Sequence, residues 1–213
     1  MKPGLSQLSL ILALLLSSSR GSAAEPRIYQ VDEDASSMVV HVGKAGLFSF
    51  AGHNHDIKVT GFQGRVVADA AALEKSSVEL VFASSGLRVV ASKEPAGDAP
   101  KVQEAMEGAK CLDVSRYPEI QFHSTKVAGK PGNQSGYDLT ITGELELHGV
   151  KRSLSFPAKV QIENGHLTAS GELPIKQKDY GIDPFSAAVG SVKVKNQLTI
   201  EFSIVAKATA ASH

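Results

Sequence analysis

Apolar and polar side chains alternate along most of the chain from residue 27 onward, and a period of two places successive side chains on opposite faces of a strand. Four late segments carry the pattern most regularly. Tyr137, Leu139, Ile141, Leu145 and Leu147 alternate with Asp138, Thr140, Thr142, Glu144, Glu146 and His148. Leu154, Phe156, Ala158, Val160 and Ile162 alternate with Ser155, Lys159, Gln161 and Glu163. Leu167, Ala169, Leu173 and Ile175 alternate with Thr168, Ser170, Glu172 and Lys176. Finally Val192, Val194, Leu198, Ile200, Phe202 and Ile204 alternate with Lys193, Lys195, Gln197, Thr199, Glu201 and Ser203. Shorter runs precede them: Met38, Val40 and Val42; Phe62, Val66 and Ala68; Val78, Leu80 and Phe82; Ile120 and Phe122. Gly129 to Gly136, Gly149 and Glu163-Asn164-Gly165 supply the turns between strands. Many such strands in succession predict an all-β, antiparallel sandwich or barrel.

One stretch breaks the alternation. Ala99 to Ala109 holds good helix formers with Val102 and Met106 four residues apart, and Asp98 stands at the N-cap position. A single short helix is expected there, after the loop Ser92 to Gly97, in one long insertion between strands. Such an insertion is either a plain surface excursion or a cover for a ligand site. The tail Ala206 to His213 is expected to fray.

The N-terminus adds an address. Lys2, the apolar run Leu8 to Leu16 and the small residues Gly21, Ser22, Ala23 and Ala24 form a signal-peptide pattern, with cleavage expected between Ala24 and Glu25. The apolar run is shorter than the ~20 residues of a spanning helix, so no integral membrane segment is expected. Residues 1–24 are read as the signal peptide and 25–213 as one domain, periplasmic or secreted. The segment removed carries Lys2 and Arg20 and no acid, so the 22 basic side chains fall to 20 against 22 acidic ones. That balance does not suit nucleic acid, which calls for a basic stripe. Cys111 is the single cysteine, so no internal disulfide can form, and it is expected to be a small buried apolar residue.

Five further segments occur in a definite order. Tyr29-Gln30-Val31-Asp32 with Ser36 to Val42 comes first, followed by Gly61-Phe62-Gln63-Gly64. Next come Leu112-Asp113-Val114-Ser115-Arg116-Tyr117-Pro118-Glu119-Ile120-Gln121-Phe122-His123-Ser124 and Thr142-Gly143-Glu144-Leu145-Glu146-Leu147-His148-Gly149-Val150-Lys151-Arg152. Asp179-Tyr180-Gly181-Ile182 closes the series. Together they resemble the YceI-like family of lipid- or polyisoprenoid-binding, lipocalin-like barrels, over nearly the whole chain after the leader. The resemblance implies an extended antiparallel barrel holding an isoprenoid, quinone or other lipid-like amphiphile along its axis.

If the dry faces point inward, Met38, Val40, Phe62, Leu80, Phe82, Phe122, Leu145, Phe156, Leu173 and Phe202 are candidates to line a cavity. The same residues could equally fill a solid core. No catalytic residues are singled out: Glu144, Glu146, Glu163, Glu172 and Glu201 fall on wet faces, and hydrolase, metalloprotease and phosphate-loop motifs are absent. A non-enzymatic binding protein is the expectation, with no cofactor other than a bound lipid. Gly52-His53-Asn54-His55 stands out, because in a strand running from His53 to Val59 period two sets His53 and His55 on the face of Ile57 and Val59. It is an exposed turn, a clamp for a polar headgroup or part of a metal site, the last making the alternative function a metal-binding or stress-related envelope protein. Asp56 points the other way, as do His123 and His148, and His41 is ambiguous.

Overall fold

In the computed structural model the described residues are 26–45, 53–133, 136–187 and 192–209. The expected leader and its cleavage site, Phe48 to Gly52, Gln134 and Ser135 of one turn, and residues 210–213 lie outside them. The order of elements is β1 Arg27–Ala45, β2 His55–Val59, β3 Phe62–Ala68, β4 Ser77–Ala83, β5 Leu87–Val89, α1 Ala99–Glu107, β6 Glu119–Pro131, β7 Gly136–Leu147, β8 Val150–Glu163, β9 His166–Lys176, β10 Ser186–Ala187 and β11 Val192–Ala208.

Neighbouring strands pair antiparallel in the order β1, β3, β4, β6, β7, β8, β9, β11, and β11 returns to β1, closing an eight-stranded barrel. β2 and β3 lie end to end along β1, with Val42 opposite His55 and Gln30 opposite Arg65. β4 and β5 lie end to end in the same way along β3 and β2. The barrel thus has two broken walls, jointed at Thr60-Gly61 and at the 3-10 turn Ser84–Gly86. The joints hold each other: Thr60 donates from N–H and Oγ1 to the Gly86 carbonyl at 2.9 and 2.7 Å. Two tight hairpins use residues at positive φ, His148-Gly149 and Asn164-Gly165, which match the twist of the strands they connect.

The segment Tyr29 to Val42, which resembles the opening strand pair of the YceI-like family, is one strand here. β1 runs unbroken past a register shift between Asp32 and Ser37. Ser36 Oγ stitches that bulge, donating to the Asp32 carbonyl at 2.6 Å and accepting from the Val205 N–H at 2.9 Å. Of the tail expected to fray, residues 206–209 are ordered by pairing, and 210–213 lie outside the described residues. Ala206 is fully buried and pairs with Val31, and Thr209 still donates to the Ile28 carbonyl at 2.9 Å. The helix forms as predicted over Ala99–Glu107, but Asp98 accepts from Lys101 Nζ at 3.1 Å rather than capping the backbone.

β5 would be an exposed sheet edge, the kind that recruits other strands. Gln103 of α1 covers it, accepting from the Val89 N–H and donating to the Leu87 carbonyl, both at 2.8 Å. On the outer face His41 of β1 joins three strands, with Asp56 of β2 at 2.8 Å and Glu201 of β11 at 3.2 Å.

Two stability predictions follow from these joints. A methyl at Gly86 would overlap the Thr60 carbonyl oxygen, whereas one at Gly132 meets nothing nearer than 3.5 Å. Gly86→Ala should therefore lower stability by about 1–3 kcal/mol, seen as a lower urea midpoint, and Gly132→Ala should stay within about 0.5 kcal/mol of the parent. The Asp56 hydrogen bond, with a smaller push from Glu201, raises the His41 pKa above its ordinary value. The fold then favours protonated His41, so its contribution is complete below the ordinary imidazole value and is lost as pH rises through the raised one. His41→Asn should cost a few tenths of a kcal/mol to about 1 near pH 6 and less near pH 9. Urea titrations at both pH values read the difference, and equal losses would contradict the ion-pair account.

Candidate ligand cavity and its polar end

The inward faces of the strands do not meet. They enclose a cavity of about 1020 Å³, at the top of the ~300–1,000 Å³ range of small-molecule sites. Eight-stranded barrels are either filled by their own side chains or left with room for one small ligand, and this one is hollow. Met38, Val40, Leu80, Phe82, Phe122, Leu145, Phe156, Leu173 and Phe202 all stand in the wall. Phe62 does not, which corrects the expectation for that residue: it follows the Thr60-Gly61 joint, is buried, and packs on its cross-strand partner Phe82 at 5.6 Å between ring centres. Rings of Phe122, Phe156 and Phe202 follow one another at 5.7 Å.

The two ends of the cavity differ. At the end near the barrel's N-terminal residue, the turn between β3 and β4 contributes Asp69, Ala70, Leu73 and Ser76. Asp69 is buried and accepts from the N–H groups of Ala71 and Ala72, both at 2.9 Å, which folds the turn inward. At the opposite end α1 and the residues after it present Val102, Ala105, Met106, Ala109, Cys111 and Leu112. Burial pushes the Cys111 thiol above its ordinary range, the setting of an unreactive cysteine. Polar groups gather at this helix end: Lys44, His53, His55, Asp98, Lys101, Lys110, Asp183 and Lys193.

His53 and His55 both line the cavity beside Ile57 and Val59; the period of two places His55, the first residue of β2, and His53 stands just ahead of the strand. Their rings stand edge to face at 4.6 Å. The group between them was not apparent in the sequence. Glu94 lies 39 residues beyond His55, in the loop ahead of α1, and its carboxylate reaches His53 Nε2 at 2.5 Å and His55 Nδ1 at 3.0 and 3.1 Å. The loop is carried there by a hydrogen bond from the Val90 N–H to the Asp56 carbonyl at 2.9 Å and by the 3-10 turn Ala91–Lys93. Solvent exposure falls from 34% at His53 to 15% at His55 and zero at the Glu94 side chain. No fixed spacing ties Glu94 to the histidines, so only the folded insertion could reveal it.

The remaining histidines sort differently. Asp56 faces away from the cavity toward His41, and His123 pairs with Glu144 on the outside at 3.0 Å. His148, expected on a wet face, instead borders the cavity; its place in the β7–β8 turn swings it against Tyr117, 4.4 Å between ring centres. Glu144, Glu146, Glu163, Glu172 and Glu201 take no part in the wall.

Solved structures share the architecture. A protein from Burkholderia cenocepacia, BcnA, is 20% identical, with 82% of this chain and 98% of that one covered at a TM-score of 0.63. A Saccharophagus degradans protein, described as a polyisoprenoid binding domain implicated in plant cell wall breakdown, is 16% identical, covering 85% and 98% at 0.60. The YCEI protein of Campylobacter jejuni is 15% identical, covering 72% and 84% at 0.52. No curated protein matches the chain. The YceI-like domain family matches residues 29–206, which span the barrel from the third residue of β1 to Ala206 near the end of β11, and the chain belongs to that family.

Proposed function

We propose that this protein is an exported, non-enzymatic carrier that holds an isoprenoid, quinone or other lipid-like amphiphile in the barrel. The observation that carries the reading is the 1020 Å³ cavity, walled by aliphatic and aromatic side chains for most of its length and polar at one end. Burying one five-carbon isoprene unit is worth roughly 2–4 kcal/mol gross, against about 0.5–1.5 kcal/mol for a hydrogen bond. Two or three buried units therefore dominate affinity, and the polar end orients the molecule. The tail lies along Phe122, Phe156 and Phe202, and the head meets the lysines and histidines near α1. The polyisoprenoid-binding description of the Saccharophagus degradans relative supports the ligand class. The strand carboxylates Glu144, Glu146, Glu163, Glu172 and Glu201 take no part in the wall, which supports a binding rather than a catalytic role. The N-terminal pattern supports export, with the mature chain starting at Glu25.

Protein purified from its own host should carry an extractable isoprenoid or similar lipid, detected by native mass spectrometry followed by organic extraction. N-terminal sequencing of that material should begin at Glu25. A partly buried wall position tests whether the space is used: Ala169 faces the cavity between Val160 and Ile204. Ala169→Phe should weaken binding of a long-chain probe by about tenfold or more while costing less than the ~1–3 kcal/mol of an overpacked core. Unchanged binding of the probe would place it outside the barrel and defeat the carrier reading.

A further inference from the structure

We propose that His53, His55 and Glu94 form a site for one divalent transition metal of the zinc class, set in the cavity wall at the helix end. This goes beyond the carrier reading and stands whether or not a lipid occupies the barrel.

Three donors of the right kind converge. One nitrogen from each imidazole and one carboxylate oxygen lie within 4.8 Å of one another. Metal–ligand bonds of about 2.0–2.1 Å place tetrahedral ligand atoms roughly 3.3–3.4 Å apart. The contacts of 2.5–3.1 Å between Glu94 and the two rings need only small side-chain rotations to admit an ion at the centre. The carboxylate is wholly shielded from solvent, and a buried anion requires a cation or donors aimed at its oxygens. Both imidazoles are aimed at it, through the nitrogens that would otherwise present lone pairs to a metal.

Two imidazoles and one carboxylate suit zinc, iron, nickel or copper; calcium and magnesium take oxygen-only shells. Three protein ligands leave at least one coordination position free, the arrangement of an open rather than a closed structural site. The two imidazoles line the cavity while Glu94 sits behind them. The free position therefore faces the cavity, where water or an oxygen atom of a bound molecule would complete the shell. The scaffold is held from both sides: Asn54 Oδ1 accepts from the Lys44 N–H at 3.1 Å, and Val90 ties the Glu94 loop to β2.

The test is calorimetric titration of chelator-stripped full-length protein with Zn²⁺ alone. One ion per chain is expected, with H53A, H55A and E94Q each weakening binding by about 100-fold or more, and H123A on the outer wall leaving it unchanged. Because a substitution at buried Glu94 could unfold the loop, X-ray absorption of the zinc-loaded parent provides a second measurement. It should show a nitrogen and oxygen shell with two imidazoles. Absence of stoichiometric binding by the parent, undiminished binding in the histidine variants, or a sulfur ligand from Cys111 would each overturn the site.

Discussion

Closure of β1 against β11 is the pairing on which everything else depends. Their register runs from Tyr29 opposite Ala208 to Ala45 opposite Lys193, nearly the full length of both strands. Without it the eight amphipathic strands would be an open sheet with two unpaired edges and one apolar face in water. With it, the apolar face becomes an inside. The partners are about as distant in sequence as this chain allows, yet the entropy of closing a loop grows only logarithmically with its length. A ladder of backbone hydrogen bonds offsets it. The bulge at Asp32 to Ser37 could have interrupted that ladder, and Ser36 Oγ supplies the missing acceptor for Val205.

A closed barrel need not be hollow, and the reason for this cavity lies partly in its broken walls. β4 and β5 end at Val89, while β6 starts only at Glu119. Residues 90–118 must fill the gap at that end, and they do so with a helix laid on the edge of β5 by Gln103. Small side chains on and after the helix, such as Ala105 and Ala109, border the space without filling it. The same insertion delivers Glu94 to His53 and His55. One piece of chain therefore covers an exposed edge, bounds the cavity and completes its polar cluster.

The two ends consequently offer different chemistry to an occupant. Aromatic rings in the wall favour hydrocarbon, whereas a carboxylate held between two imidazoles favours a cation or a hydrogen-bonding headgroup. Glu144, Glu172 and Glu201 stand outside the wall because of strand alternation, whereas loop placement buries Glu94 behind His53 and His55.

Alternation alone determined the all-β class, most strand positions and which residues face inward, because a period of two is a local property of the extended backbone. The helix at Ala99–Glu107 and the hairpins at Gly149 and Asn164-Gly165 were legible for the same local reason. The inward face of His55 could be read along β2, and His53, just ahead of that strand, turns to the same cavity. The tertiary structure decided what no local pattern encodes. Ala206 belongs to the seam rather than to a frayed tail, because its pairing partner is Val31. Phe62 is buried against Phe82, its cross-strand partner, and only Phe82 of the pair reaches the space. The volume itself depends on how all eight walls close, and the third member of the histidine cluster on where a loop lands. Both are set by contacts between residues far apart in the chain, which sequence spacing does not measure.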